Sequence, residues 1–416
     1  MNKKLILGIV GNVMEWFCYS LYGAFTANIA YHFFSTGSLH INLLFSYAIF
    51  AVGFFMRPVG AVIFGYIGDR VGRENLLFLS MMLMAIPTFC MALIPSFSVI
   101  GILAPILLII MRGLQGIAIG GEYTGAMVYL VEQAPSNKRG FLGSFADFGC
   151  LFGTLVGGSL SILAISNIFD EKLFTVIGWR IPFYLSILIV PLAFFIKMSS
   201  SQKSTNVSQE LTNTRKKNEV PIIELLKKHY KTAIYVAASS AFSGVNFYTL
   251  LVFMPNYISM INNDTSVGFT STLITNIVMI PAVLISGFLS DKFRRKPLII
   301  SGIIGVMMFG YPLFSTIDNH TLHIVIEMLF GISLGVYYGG RSAFFAEAFP
   351  KSIRCTAVSF SLSISHCIFA GTAPFVATYI AKVFDIRWFY LYIVLVSLFA
   401  LYGFIKIKDR TGEDLL

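Results

Sequence analysis

Runs of about 20 apolar residues, enough to cross roughly 30 Å of hydrocarbon as a helix, recur along nearly the whole chain. They leave no polar interval large enough for a water-soluble domain, so membrane-spanning helices are the architecture and not an appendage to it. Charged residues fill only 12% of the 416 positions, against roughly a quarter in soluble domains, and the mean hydropathy is +0.78. The runs are unbroken and do not alternate in polarity, which fits helices that satisfy their own backbone groups and excludes a transmembrane β-barrel. Twelve spans are predicted, at approximately 5–33, 41–67, 75–95, 99–131, 140–168, 179–198, 230–261, 270–290, 296–317, 322–348, 354–384 and 387–406. The first is too long for a signal-peptide core and lacks a small-residue cleavage pattern, so it reads as a retained helix.

A formal net charge of +10 can signal nucleic-acid binding, but the placement of the charges follows the positive-inside rule instead. With both termini cytoplasmic, the inner loops collect Lys3, Lys4, Arg70, Arg73, Lys138, Arg139, Lys292, Arg294, Arg295, Lys296, Lys351, Arg354, Lys406, Lys408 and Arg410. The outer loops keep Lys172, Arg180, Lys382 and Arg387. No nucleic-acid partner is expected. The five cysteines, Cys18, Cys90, Cys150, Cys355 and Cys367, are scattered without metal-ligand or redox spacing, and neither a metal nor a cofactor is expected.

One long hydrophilic stretch, Ser199 to about Lys231, is rich in Ser, Thr, Asn, Gln and Lys and has the composition of a partly disordered linker. It divides the chain into an N-terminal six-helix bundle at 1–198, a cytoplasmic central loop at 199–229 and a C-terminal six-helix bundle at 230–416. The halves repeat each other weakly. Gly65-Tyr-Ile-Gly-Asp69-Arg-Val-Gly-Arg73 answers Gly287-Phe-Leu-Ser-Asp291-Lys-Phe-Arg-Arg295, and Glu132 through Arg139 answers Glu347 through Arg354. The expected fold class is an all-α membrane protein, twelve transmembrane helices in two pseudo-symmetric bundles, with a site near the midplane between them.

The loop Gly65-x-x-x-Asp69-Arg70-x-Gly72-Arg73 resembles the loop motif of the major facilitator superfamily, and Arg112-Gly-Leu-Gln115-Gly116 resembles its fourth-helix motif. More narrowly, Gly11-Asn12-Val-Met-Glu15-Trp16, Arg57-Pro58-x-Gly60, Gly120-Gly-Glu122-Tyr-Thr-Gly-Ala126, Asp147-Phe-Gly149 and Gly178-Trp-Arg-Ile-Pro-Phe183 are similar to the metabolite:proton symporter family. That family includes importers of proline/betaine, α-ketoglutarate, citrate and shikimate, and the Gly-Glu-Tyr-Thr-Gly-Ala string is most similar to the proline/betaine branch. The resemblance spans most of the chain. It implies the major facilitator fold, alternating access, a bacterial inner-membrane location, a small-molecule substrate, protons as coupling ions and a monomeric protein. Two features depart from the pattern. Cys18 stands where the family usually has a first-helix aspartate, and the sequence ends at Leu416 without the coiled-coil extension of some osmosensing relatives, so gating by that device is not expected.

Ionisable groups at bilayer depth cost at least ~2.5–3.5 kcal/mol each on insertion scales, so those inside the spans are functional candidates and should face the bundle interior. Glu15 lies roughly 15 Å from the start of the first span and Arg57 a similar distance from the inner end of the second, so the two share a depth and an ion pair between them is expected. Arg112 and Glu122 share a helix at levels roughly 15 Å apart and cannot bond. The resemblance assigns Arg112 to the support of proton coupling, and Glu122 is then expected to titrate in place of the missing aspartate. Arg341 suits bidentate binding of a substrate carboxylate, or alternatively an ion pair with Glu347 or Asp147. His366 is a proton carrier or a packing histidine. Glu327 is expected at a gate or a solvated outer edge. Aromatic groups, among them Trp16, Tyr22, Phe247, Tyr248, Tyr337 and Tyr338, suit a quaternary ammonium through cation–π contact.

The predicted substrate-binding set is therefore Glu15, Tyr22, Arg57, Arg112, Asn246, Tyr248, Tyr338, Arg341 and His366, and the proton-coupling set is Glu15, Arg112, Glu122 and Asp147. Asp69, Arg70, Arg73, Asp291 and Arg295 are expected to gate from the loops, with Asp69 facing the N-terminus of a neighbouring helix. The leading functional expectation is proton-driven import of a zwitterionic or anionic metabolite. An exporter of drugs or other solutes, or a facilitator left uncoupled by Cys18, are the alternatives. A membrane enzyme is disfavoured, because the chain has no phosphate-binding glycine loop, no paired-histidine metal helix and no nucleophile motif.

Overall fold

A computed structural model of the chain describes residues 3–35, 39–161, 168, 170, 173, 177–201, 220–262 and 265–415. Among the described residues there are helices and no strands. The first predicted span, α1, is Lys3–Ala24, continued beyond a break at Phe25 by Thr26–Phe33. Next come α2 (Leu39–Tyr66), α3 (Arg73–Leu93), α4 (Leu103–Gln133), α5 (Arg139–Thr154) and α6 (Gly178–Phe195). The second half holds α7 (Tyr230–Asn262), α8 (Thr265–Phe293), α9 (Arg295–Ser315), α10 (His320–Glu347), α11 (Arg354–Val383) and α12 (Phe389–Lys406). Eleven helices among the described residues are long and apolar enough to cross a membrane, and α1 completes the twelve-helix fold.

The predicted end of the fifth span at 162–167, Lys172, and 202–219 of the predicted central loop lie outside the described residues. The last part of that loop is not irregular. Pro221–Lys228 is a short helix with proline in its first turn; Pro221 and Leu225 point inward, and Glu224 and Lys228 pair at 3.8 Å on its polar side.

Several spans depart from ideal helix where the sequence or the seam requires it. Pro58, Pro87, Pro281 and Pro312 sit inside α2, α3, α8 and α9, where each removes one backbone donor. Wider π-type turns interrupt four spans, at Ile67–Val71, Leu155–Leu160, Thr249–Phe253 and His366–Ala370. The last two lie in α7 and α11 and flank the seam between the bundles.

Inside each bundle equivalent helices pack closely, α2 with α4 and α8 with α10. Glycines permit it. A methyl group added at Gly120 would strike the Arg57 carbonyl and stand 2.8 Å from Ala61 N, and one at Gly339 would lie 2.6 Å from the Val283 carbonyl. Between bundles the contacts are again equivalent: α5 packs on α8 and α10, and α11 packs on α2 and α4. Large apolar side chains such as Phe55, Phe195, Met308 and Leu395 face outward, as a lipid-facing surface demands.

The chain end closes one helix start. Thr411 Oγ1 accepts a hydrogen bond from the Arg295 amide at 3.2 Å and Asp409 Oδ2 accepts one from the Lys296 amide at 3.1 Å, capping α9, which has no acidic residue in its first turn. Burial pushes the Asp409 carboxyl up, but its bonds from Thr411 and the Lys296 amide outweigh burial and hold it below the usual carboxylate range.

If glycine contact fixes the α2–α4 approach, Gly120→Ala destabilises the detergent-solubilised protein by about 1–3 kcal/mol in thermal melting. Gly158→Ala, where an added methyl meets nothing within 4 Å, stays within about 0.5 kcal/mol of wild type. Equal melting of the two variants would remove this contact as the determinant.

Candidate functional site

A cavity lies between the bundles, lined from α1, α2, α5, α7 and α8. Its α1 wall is Trp16, Tyr19, Ser20 and Gly23, an i, i+3, i+4, i+7 stripe on one helix face. From α7 come Phe247, Tyr248, Leu251, Val252 and Asn256, and from α8 come Phe269, Thr272 and Asn276. All of these lie in the halves of their helices away from Asp69 and Asp291, so the cavity belongs to the face opposite the two loop motifs. The lining is mostly aromatic with a few polar groups, the composition of a small-molecule site. Both amide atoms of Asn276 and the Trp16 indole nitrogen lack a hydrogen-bond partner among the described residues.

Arg57 closes the cavity toward the midplane. Its guanidinium crosses from α2 to the other bundle, donating to the Tyr248 hydroxyl at 3.0 Å and meeting His366 Nδ1 at 3.3 Å. Because a guanidinium only donates, His366 must accept there, which leaves Nδ1 unprotonated in this arrangement. The expected Glu15–Arg57 ion pair is not formed: Arg57 instead turns across the seam and stacks on Phe54 at 4.4 Å. One layer further in, Arg341 pairs with Asp147 at 2.5 Å and also donates to the Tyr123 hydroxyl, while Ser342 donates to the other Asp147 oxygen at 2.7 Å. Of the two expectations for Arg341, the ion pair with Asp147 is the one present, and it joins α10 to α5.

The N-terminal bundle also holds buried charges without partners. Glu15 and Glu122 are 1% and 0% exposed, and among the described residues neither carboxylate forms an ion pair, the Ser80 hydroxyl being the polar neighbour of Glu122. They share one compartment, with Glu122 Oε1 3.8 Å from where a methyl at Gly11 would stand, one turn along α1 from Glu15. Arg112 is equally buried and touches no carboxylate. It donates to Gln115 at 2.8 Å, and its guanidinium is boxed by Tyr19, Tyr22 and Phe50 at 4.3, 4.7 and 4.6 Å.

The opposite face is sealed by reciprocal contacts. Asp69 accepts from the Cys355 and Thr356 amides at 3.1 and 2.9 Å, capping α11 of the other half. Asp291 accepts from the Gly140 and Phe141 amides at 2.8 and 2.9 Å, capping α5 in return. Glu132 at the end of α4 is held by Arg73 of its own half at 3.1 Å and Arg354 of the other at 2.7 Å. Glu347 at the end of α10 stands at ion-pair distance from Arg295, 2.9 Å, and Arg139, 3.6 Å, without the alignment of a hydrogen bond. Arg70 is half-buried beside Asp69.

Of the predicted binding set, Tyr248 lines the cavity, and Arg57 and His366 meet directly behind it. Glu15, Arg112 and Arg341 are buried in the layers around it. Tyr22, Asn246 and Tyr338 are not on its wall: Tyr22 bonds the Ser46 carbonyl, Asn246 the Phe242 carbonyl, and Tyr338 lies over Arg341 at 4.4 Å. Glu327 is not at a solvated edge. It is fully buried and accepts from Ser271. The sequence reading missed Tyr19, Phe50, Thr272, Asn256 and Asn276. Thr272 and Asn276, four apart on α8 within a polar cluster that also holds Thr270, Ser271 and Thr275, were the available signal.

The description "sugar (and other) transporter" fits residues 4–415. A proline/betaine transporter of Salmonella typhimurium is 29% identical over all of this chain and 85% of its own length. The glycine betaine/proline/ectoine/pipecolic acid transporter OusA of Dickeya dadantii is 30% identical over 92% of this chain and 78% of its own. Among solved structures, the proton:xylose symporter XylE with a bound bromo-sugar superposes with a TM-score of 0.80 at 17% identity, over 99% of this chain and 97% of that one. An inward-open form of the same transporter from E. coli, 18% identical with the same coverage, gives 0.72. The chain is thus a multi-pass membrane protein with the major facilitator fold, and it belongs to the sugar (and other) transporter family.

Proposed function

We propose that the protein is a proton-coupled importer of a small zwitterion of the proline or betaine kind, working by alternating access. The observation that carries this is the aromatic cavity, closed on the loop-motif face by crossed helix caps and backed by Arg57. The substrates named for the relatives share a positively charged nitrogen and a carboxylate. Trp16, Tyr19, Phe247 and Tyr248 offer aromatic faces for the cation, and Arg57 offers two donors for the carboxylate once Tyr248 yields its bond. Arg341 and Asp147 act as a clamp between bundles in this reading, and Asp147 carries no proton while so paired.

Glu15 and Glu122 are the proton site. Two carboxylates in one dry compartment cannot both be ionised without a cation, and none touches them. Arg112, caged by Tyr19, Tyr22 and Phe50, supplies the compensating charge as the cavity rearranges. The charge asymmetry of the loops puts the motif face and both termini in the cytoplasm of a bacterial inner membrane, so the cavity faces outward. The chain acts as a monomer, with 1–198 and 230–416 as the rocking units and 199–229 as their connection.

Uptake of labelled proline, betaine, α-ketoglutarate, citrate and shikimate into proteoliposomes tests the reading. Proline or betaine accumulates uphill only with an imposed inward proton gradient; equilibration without accumulation would select an uncoupled facilitator, and extrusion an exporter. Glu122→Gln is expected to abolish the gradient-driven part and to leave counterflow exchange, and full gradient-driven uptake in that variant would sink the proton assignment. Asp69→Asn keeps a capping oxygen but loses the negative charge at the start of α11 and the ion pair with Arg73, worth about 0.3–1 kcal/mol. It should slow turnover up to about tenfold with substrate affinity within about threefold, and should expose Cys355, buried at that seam, to a polar maleimide. A large loss of affinity with Cys355 still protected would count against the gate.

A further inference from the structure

The geometry points to a second proton-binding site, inside the C-terminal bundle, formed by Glu327 with His323 and Ser271 and reached from the cavity face through His320. His320, His323 and Glu327 follow at i, i+3 and i+7 on α10 and share one helix face. His320 is the exposed first residue of that helix, whereas His323 and Glu327 are 2% and 0% exposed. His323 Nε2 stands 3.7 Å from Glu327 Oε2, and the Ser271 hydroxyl of α8 donates to the same oxygen. His323 Nδ1 meets the Thr316 hydroxyl at 3.5 Å. The other polar neighbours of the pair are the Thr275 hydroxyl beside Glu327 and the Leu313 backbone beside the His323 ring.

No lysine or arginine is paired with Glu327 among the described residues. From α8 it faces the hydroxyls of Ser271 and Thr275, and α7 brings Leu250 to the adjoining turn at Gly331. The charges of α9, Arg295 and Lys296, lie at the far face, and Asp147 of α5 is spent on Arg341, about 21 Å along α10. Exposed Asp318 precedes His320 at the water side. The pair is therefore neutral with one proton, negative with none and positive with two, and in a dry bundle the neutral form is the one that needs no partner. Beyond Glu327 the same face continues as Phe330 and Leu334, both fully buried, so the route ends there.

The site is tied to the cavity by α8. Ser271 and Thr275 face Glu327, while the next residues, Thr272 and Asn276, line the cavity. A ligand held by Thr272 and Asn276 and a proton held at Glu327 thus grip two sides of one helix. Any shift of α8 that narrows the cavity alters the Ser271–Glu327 contact. The site goes beyond Glu15 and Glu122, and its test needs no substrate.

Infrared difference spectra of the protein in lipid nanodiscs, taken across the pH range in which it stays folded, report the C=O stretch of protonated carboxyl groups. Wild type is expected to show a titrating band that Glu327→Gln removes. His323→Gln displaces the pH at which that band disappears by about one unit or more. Ser271→Ala, which keeps both titrating groups and removes only the donated hydrogen bond, displaces it as well. Spectra of Glu327→Gln that superpose on wild type, or a band unmoved in both His323→Gln and Ser271→Ala, would overturn the site.

Discussion

The arrangement depends on two carboxylates that bond to backbone amides across the seam. Asp69 caps α11 and Asp291 caps α5, so each half completes a helix that belongs to the other. A helix start leaves its first amides without partners, and a carboxylate meets both that need and the positive end of the helix dipole. The caps therefore stabilise one relative position of the bundles, and the ion pairs of Arg73 and Arg354 with Glu132 and of Arg295 and Arg139 with Glu347 are assembled around them. With one end held together in this way, the other end is free to part into the aromatic cavity.

Charge is distributed unevenly between the two layers. At the sealed face the buried ions have partners of opposite sign, Glu132 with Arg354 and Glu347 with Arg139 across the seam, and Asp69 with Arg73 and Asp291 with Arg295 within one half. In the N-terminal bundle Glu15, Glu122 and Arg112 have none, although burying an unpaired charge is among the most costly arrangements a protein can hold. An ion left alone in one state has the most to gain from another, either a proton or a new partner. The unpaired groups are thus the ones whose energy changes most when the bundles move, and they lie beside the cavity rather than at the seal.

The fold was legible because its signals are long and redundant. An apolar run of about 20 residues tolerates many substitutions, and the repeated Asp69 and Asp291 loops announced the two halves directly. Pairing across the seam was only partly legible. The facing of Asp69 to a helix start followed from its loop position, but Glu15 and Arg57, placed at equal depth by rise alone, differ in azimuth and partner. Depth is additive along a helix, whereas contact depends on rotation. The cavity wall was the least legible part. With 40 Phe and 19 Tyr in the chain, no single aromatic residue stands out, and Tyr19 and Phe50 line the cavity while Tyr22, one turn further on, does not. Glu327 was misplaced for the opposite reason: a carboxylate two turns inside a helix was assigned to a gate or a solvated edge, when Ser271 and His323 had been supplied to receive it.

The π-type turns give α7 and α11 a property that straight helices lack. Each stores one residue more than its neighbours need, and the two begin at Thr249 and His366, beside the two groups that hold Arg57. When such a surplus residue is passed back toward the start of its helix, the residues it passes, Tyr248 and His366 among them, turn by about 100°, while the stretch before them stays in place. Tyr248 and His366 can then swing off the guanidinium by local rewinding, without either bundle moving as a whole. In the proposed alternating-access cycle the latch on Arg57 can thereby release before the bundles rock, so the pocket is unlocked before it is turned.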